Sequence, residues 1–377
     1  MTFLIILPII LIAIILYLYF HPHKDKTTTQ VHYQDGLIAL LDNNEDMAMK
    51  KLKEAISVDT NLTDAYIRLG NLFRKKGDIE RAIQIHQSLT VRPTLKKDEE
   101  KKVYFALIQD YIAANRPNKS IAFLKEILKI DKNDRAAWDM VIRIYEDLQN
   151  FQDCVAAFEE NTGAEFRDQK RYAFCLASLG NSKLKEATAE DPNIEKDAHN
   201  TMKKALRVNP DSLAGLYYLA EYYRSREEYK KVRELYNRIT RHLPDHAFLI
   251  IPGLEKVLYD LGSFDEIIPL YENIFRENPK NFTVGFALAN LYEKKNDLDA
   301  ARDVYRKISE VYPKNVVARL NLLRLASEDK NIRKDLADMI KTQSELKYSC
   351  PSCGYTATKF SFNCPKCHAI ESSLPSL

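Results

Sequence analysis

The sequence is short of glycine: 10 of its 377 residues, about 3% where about 7% is usual. No two of these glycines fall in G-x-G-x-x-G or G-x-x-x-x-G-K-[ST] spacing, so neither the dinucleotide fingerprint nor the phosphate-cradling loop is present. H-E-x-x-H and G-x-S-x-G are missing as well, which leaves catalysis without a familiar home. Charge of one sign is also lacking. Lys plus Arg total 56 and Asp plus Glu 53, a net of +3, too balanced for binding nucleic acid through bulk charge. What remains is 45% apolar and 29% charged, with 21 tyrosines. That composition buries a core and reads as mostly helical.

One long apolar run stands out. Phe3 to Phe20 is 18 residues without a charge, and a helix of that length covers about 27 Å, close to the hydrocarbon thickness of a bilayer. Tyr17, Tyr19 and Phe20 suit an interfacial aromatic belt. A cleaved signal peptide would need a basic leader and a small-residue cleavage site, and this run has neither. Residues 1–22 are therefore expected to be a retained single-pass anchor. Lys24 and Lys26 follow it directly, and the positive-inside bias leaves the long C-terminal body in the cytoplasm. Unpaired metal-type cysteines further on suit the same reducing compartment.

Residues 23–315 repeat with a period near 34. Pro210, Pro244, Pro279 and Pro313 are separated by 34, 35 and 34 residues, each between two helical apolar patterns. Leu69-Gly70, Phe73, Gly77-Asp78 and Ala82 stand at tetratricopeptide spacings. Gly70 and Ala82 are read as small contacts where two helices cross, Gly77 as a helix terminator and Asp78 as the next helix's cap. About eight units are expected, with a lengthened fifth, followed by a terminal helix pair over 316–345. The expected fold is an all-α solenoid whose concave face takes peptides or proteins. Consensus geometry turns Asn71, Arg74, Arg143 and Asn290 toward that face as candidate partner-binding residues. Tyr217, Tyr218, Tyr222 and Tyr223 read as packing between helices, and Cys154 and Cys175 as buried small hydrophobes. His242 and His246, with Pro244 between them, do not form a helical metal pair.

Residues 346–377 carry the sharpest motif. Cys350-Pro-Ser-Cys353 and Cys364-Pro-Lys-Cys367 form C-x2-C-x10-C-x2-C, two knuckles that supply a closed tetrahedral shell for one metal ion. With no open coordination position the ion would be structural. Gly354 permits the tight backbone after the second ligand. Tyr355, Phe360 and Phe362 would form a small apolar cover, so the metal has to supply much of the folding energy. Zinc is the expected ion, ahead of the iron that the same knuckles hold in rubredoxins. His368, next to Cys367, is redundant as a ligand.

Anchor, repeat array and terminal knuckle pair, in that order, resemble the bacterial lipopolysaccharide assembly protein B family over essentially the whole chain. The most specific stretches are LGNLFRKKGDIERAIQIHQ, from Leu69 to Gln87, and the tail through CPKC. Phe362 stands where that family usually has tryptophan. The resemblance implies a non-enzymatic inner-membrane adaptor, with its body in the cytoplasm, that regulates lipopolysaccharide synthesis. Its implied partners are the FtsH membrane protease, the deacetylase of the lipid A pathway and an inner-membrane regulator that senses lipopolysaccharide. It also implies Cys350, Cys353, Cys364 and Cys367 as metal ligands. The knuckle module would fold back on the last repeats and fix the client-holding surface. Two other readings stay open: a rubredoxin-like electron carrier, and a general protein-assembly scaffold at the membrane. Lys347, Lys359 and Lys366 are too few for a nucleic-acid-binding ribbon.

Overall fold

The computed structural model describes residues 26–93, 95–161, 168–187, 192–343 and 346–376. The expected anchor, Phe3–Phe20, lies outside them, and among the described residues no helix is long and apolar enough to cross a membrane. The chain divides into two compact units, Met1–Ile144 and Tyr145–Leu377.

In the first unit, α1 (Lys26–Leu41) pairs with α2 (Glu45–Val58), α3 (Thr63–Lys75) with α4 (Ile79–Thr90), and α5 (Lys97–Ala113) with α6 (Pro117–Ile130). The boundary falls within α7 (Arg135–Asp147), and α8 (Phe151–Glu160) belongs to the second unit. In the second unit α8 packs on α9 (Gln169–Glu186), which pairs with α10 (Pro192–Val208). The series continues with α11 (Leu213–Ser225), α12 (Tyr229–His242), α13 (Ile251–Asp260) and α14 (Ile267–Glu277). It ends with α15 (Phe282–Lys294), α16 (Leu298–Val311), α17 (Val316–Ala326) and α18 (Lys330–Gln343). A 3-10 turn, Pro244–Leu249, lies between α12 and α13. The result is a mostly helical, tetratricopeptide-like solenoid.

Local chemistry sets the hairpin period. A first helix closes on a left-handed residue, and the next residue caps the second helix. The left-handed residues include Asn43, Gly77, Asn115, Gln149, Glu227, Gly262 and Asn296. Asn44, Asp78, Asn150 and Asp297, each one position further on, accept a backbone N–H of the new helix's first turn. Glycine and asparagine tolerate that backbone best; Gln149 and Glu227 adopt it without that advantage. The core repeats as well. Tyr236, Tyr271 and Tyr305, spaced 35 and 34 residues apart on second helices, are all but inaccessible to solvent, and burial pushes each phenol up from its usual pKa.

Gly70 is the small contact between the paired helices α3 and α4 that its spacing suggests. A Cβ there would sit 2.4 Å from His86 Nε2, so the missing side chain makes room for an imidazole. His86 is fully buried. Its Nδ1 meets Asp110 Oδ2 at 2.5 Å, and its Nε2 faces the Ile67 carbonyl at 3.1 Å, so Nε2 carries a proton.

β structure among the described residues is confined to the tail. Strands β1 (Lys347–Ser349), β2 (Thr356–Ala357) and β3 (Leu374–Ser376) form an antiparallel sheet in the order β2-β1-β3. Tyr348 pairs with Ala357 on one side and Pro375 on the other.

Candidate metal centre and the surface that holds it

The tail brings the four knuckle cysteines together, with all four sulfurs within 4.8 Å of one another. Cys350 Sγ lies 3.7 Å from Cys367 Sγ, and Cys353 Sγ lies 3.6 Å from Cys364 Sγ. A tetrahedron with metal–sulfur bonds of about 2.3 Å has sulfur–sulfur edges of about 3.8 Å, so the donor set fits a single ion. The knuckle backbone is tied down. The N–H groups of Cys353 and Gly354 donate to the Cys350 carbonyl, and those of Cys364 and His368 donate to the carbonyls of Ala369 and Cys364. Gly354, at φ 69°, takes the left-handed backbone this requires, and His368 (φ 57°) takes it in the second knuckle.

The thiols do not ionise alike. Burial works against the Cys350 thiolate, but the Ser372 hydroxyl and the Ser352 and Cys353 N–H groups outweigh it and hold that thiol down to about 6. At Cys367 the Ala369 N–H favours the thiolate, yet burial and the three neighbouring sulfurs push the thiol up to about 12. Four thiols this close cannot all ionise unaided, and a divalent cation resolves the conflict. The ligands present, all thiols, suit zinc or iron.

The second knuckle is gripped on both sides by α7 and α9. Asn363, just before Cys364, donates through Nδ2 to Glu146 Oε2 at 3.2 Å. Arg171 donates to the carbonyl of His368, just after Cys367, at 2.6 Å. Arg171 Nε also faces Glu146 Oε1 at 3.1 Å, off the hydrogen-bond direction, so the contact is an ion pair. The Glu146 side chain has no exposed surface. His368 Nδ1 lies 3.3 Å from Asp147.

A second buried carboxylate anchors the end of the tail. Glu371 accepts from the Ala214 N–H at 2.9 Å and from Ser212 Oγ at 3.2 Å, placing negative charge at the start of α11, where the helix dipole favours it. Burial pushes this carboxyl above its usual range, ahead of the opposing Ala214 N–H, Lys170 and Ser212.

Between these polar anchors lies an aromatic seam. Phe362 packs on Tyr217 and Tyr218 with ring centroids 5.8 and 5.2 Å apart, and Phe360 packs on Phe248 at 5.6 Å. Two of the four tyrosines expected to pack between helices, Tyr217 and Tyr218, do pack against the helical core and carry the tail as well. Tyr222 stacks on His199 of α10 and Tyr223 meets the same ring edge-on. Tyr355, expected in the apolar cover, is 38% exposed, because Phe360 and Phe362 turn toward the repeats and form the cover with Tyr348. The tail also reaches further back than the last repeats: its partners are α7, α9, α11 and the Pro244–Leu249 turn.

Two tetratricopeptide-repeat family profiles match, one over residues 65–99 and the other over 258–325. Lipopolysaccharide assembly protein B of Escherichia coli strain K12 is 23% identical over 354 residues, covering 91% of this chain and 88% of its own length. Its counterpart in Haemophilus influenzae is 23% identical over 366 residues, covering 91% and 89%. The chain is a tetratricopeptide-repeat homologue of lipopolysaccharide assembly protein B. The span shared with both relatives is long enough to take in repeats of both units.

Of the candidate groove residues, Asn71 and Arg74 are brought together. Arg74 donates to Asn71 Oδ1 and Gln109 Oε1, both at 2.7 Å, and to Asp110 Oδ1 at 2.5 Å. Its guanidinium therefore already bridges α3 and α5. Arg143 is exposed on α7. Asn290, exposed on α15, receives the Tyr305 hydroxyl at 3.4 Å.

Sequence reasoning missed Glu146, Arg171 and Glu371. Glu146 did leave a trace: it stands four residues after Ile142 and eight after Trp138, on a helical stripe otherwise apolar. Cys154 and Cys175 are fully buried, as expected, but they are also joined as a disulfide, with Cα atoms 6.4 Å apart. Cys175 Sγ also lies 3.7 Å from Glu146 Oε1.

Proposed function

We propose that this chain is a non-enzymatic adaptor in lipopolysaccharide assembly, held at the bacterial inner membrane by residues 1–22 with its body in the cytoplasm. It promotes degradation of the lipid A pathway deacetylase by an FtsH-type membrane protease, and it answers to an inner-membrane regulator that senses lipopolysaccharide. The single observation that carries the reading is similarity to lipopolysaccharide assembly protein B along 91% of the chain. The four-cysteine centre and the helix-hairpin array, a kind of surface that holds proteins, support it. Anchoring raises the local concentration of client and protease near one another. Asn71, Arg74, Arg143 and Asn290 are the groove positions that would meet a client.

In this reading Cys350, Cys353, Cys364 and Cys367 hold one zinc ion. The ion supplies a structural cross-link that folds a module too small to bury its own core. The rest of the work belongs to the chain. Glu146 and Arg171 fix the second knuckle, Glu371 fixes the last strand, and Phe360 and Phe362 pack the seam between them against Phe248, Tyr217 and Tyr218.

The test is the half-life of the lipid A deacetylase in cells before and after this protein is depleted. A several-fold lengthening, with lipopolysaccharide rising, is expected, and Cys350→Ser should reproduce it without releasing the chain from the membrane. An unchanged half-life removes the proteolytic role.

A further inference from the structure

The second unit holds two kinds of cysteine site side by side. The four tail cysteines are free of disulfides and spaced for a metal ion. Cys154 and Cys175 are bonded to each other and belong to α8 and α9. A compartment that keeps four tail thiols reduced also reduces an ordinary disulfide. A pair that closes there is one that opens and closes.

We propose that Cys154 and Cys175 form a reversible dithiol–disulfide site whose state sets how firmly the second knuckle is held. The route is short. Cys175 touches Glu146 Oε1 at 3.7 Å; Glu146 Oε2 receives Asn363, which precedes Cys364; and Arg171, paired with Glu146, donates to the carbonyl after Cys367. A Cys175 thiol has a proton to give this buried carboxylate, whereas a disulfide sulfur has none. Oxidation therefore removes one donor from Glu146, and a buried carboxylate that loses a donor holds its other partners in a less favourable site.

A low-molecular-weight disulfide such as oxidised glutathione supplies the chemistry. One cysteine thiolate attacks it, releasing one thiol and leaving a mixed disulfide. The second cysteine then displaces the remaining half. Two electrons pass from the cysteine pair to the reagent, the two sulfurs become bonded, and both protons leave on the two thiols released. A cavity of about 440 Å3 reaches Glu146, Phe151 of α8 and Phe174 beside Cys175. Neither cysteine lines it and both are fully buried, so exchange with the reagent goes through a local opening of the α8–α9 pair.

The experiment uses the full chain at a fixed, measured metal content, poised across ratios of reduced to oxidised glutathione. Non-reducing peptide mapping reads the 154–175 bond, and amide hydrogen exchange reads residues 361–371. The expected result is a 154–175 disulfide that titrates with the ratio, with exchange over 361–371 about fivefold faster when it is closed, the size of one modest hydrogen bond. The single variants should split. Cys154→Ala, which places the consensus small residue, keeps the Cys175 donor and stays slow at every ratio. Cys175→Ala lacks the donor and stays fast at every ratio. Equal exchange in the two redox states, two variants that behave alike, or disulfides formed among the tail cysteines instead would each overturn the proposal. No partner enters these readouts, so a failed adaptor role would not be mistaken for a failed switch.

Discussion

Asp110 in the first unit and Glu146 in the second are both carboxylates whose side chains have no exposed surface, yet they are answered from different places. Asp110 is satisfied inside the repeat array: Arg74 comes from the preceding hairpin and His86 from the helix between. Its function is to lock consecutive hairpins. Glu146 is answered by Arg171 and by Asn363, which lies 217 residues away in the tail. The same chemical device, a desolvated carboxylate with charged and polar partners, stiffens the solenoid in one unit and holds a separate module in the other. A buried charge is an expensive fastener, because breaking it leaves an uncompensated ion.

The contrast can be broken most severely at the metal centre. Cys364→Ser, or removal of the ion with a chelator, should reduce bound metal from one ion to none and abolish exchange protection across 346–376. Structural zinc sites supply about 10 kcal/mol or more. Helical circular dichroism should change little, and a large loss would mean that the tail holds up the repeats rather than the reverse. Next in size are Asp110→Ala and Glu146→Ala, each expected to destabilise its own unit by about 3–5 kcal/mol in denaturant titrations. Only Glu146→Ala should accelerate exchange in the tail. If both substitutions loosened it, the division of labour drawn above would be wrong.

A smaller test compares two glycines. Gly70→Ala should cost about 1–3 kcal/mol through overpacking, because the new Cβ meets the His86 ring. Gly354→Ala has open space around it and should cost only about 1 kcal/mol, from its left-handed backbone. Thermal melts of the two variants rank them.

The smallest effect concerns pH. Folding raises the Glu371 carboxyl above its ordinary value near 4.5. A group shifted this way contributes most below the unfolded value and loses that contribution as pH rises through the folded one. The stability difference between the parent protein and Glu371→Gln should therefore drift against the parent as pH is raised through that window. A flat difference would show that the α11 N-terminus and Lys170 fully offset the burial.

Much of the architecture was legible in the residues themselves. The prolines spaced 34 and 35 apart, Gly77 with Asp78, and the C-x2-C pairs act over a turn or a knuckle, so their spacing alone carries their meaning. The role of Gly70 was half legible: its smallness could be read, but not the imidazole that needs it. Glu146 sits on an apolar stripe, and nothing local says whether a buried glutamate meets a repeat neighbour or a distant tail.

The sequence by itself determined the helix-hairpin period and the four-thiol donor set, because capping, left-handed turns and metal knuckles are short-range chemistry. Only the tertiary structure decided that Glu371 closes on Ala214 across 157 positions, that Arg171 reaches the His368 carbonyl across 197, and that Phe362 lies on Tyr217 and Tyr218. Those pairings obey no spacing rule. They follow from which buried donors, acceptors and rings a folded array leaves facing one another, and that is settled only when the array and the tail are packed together.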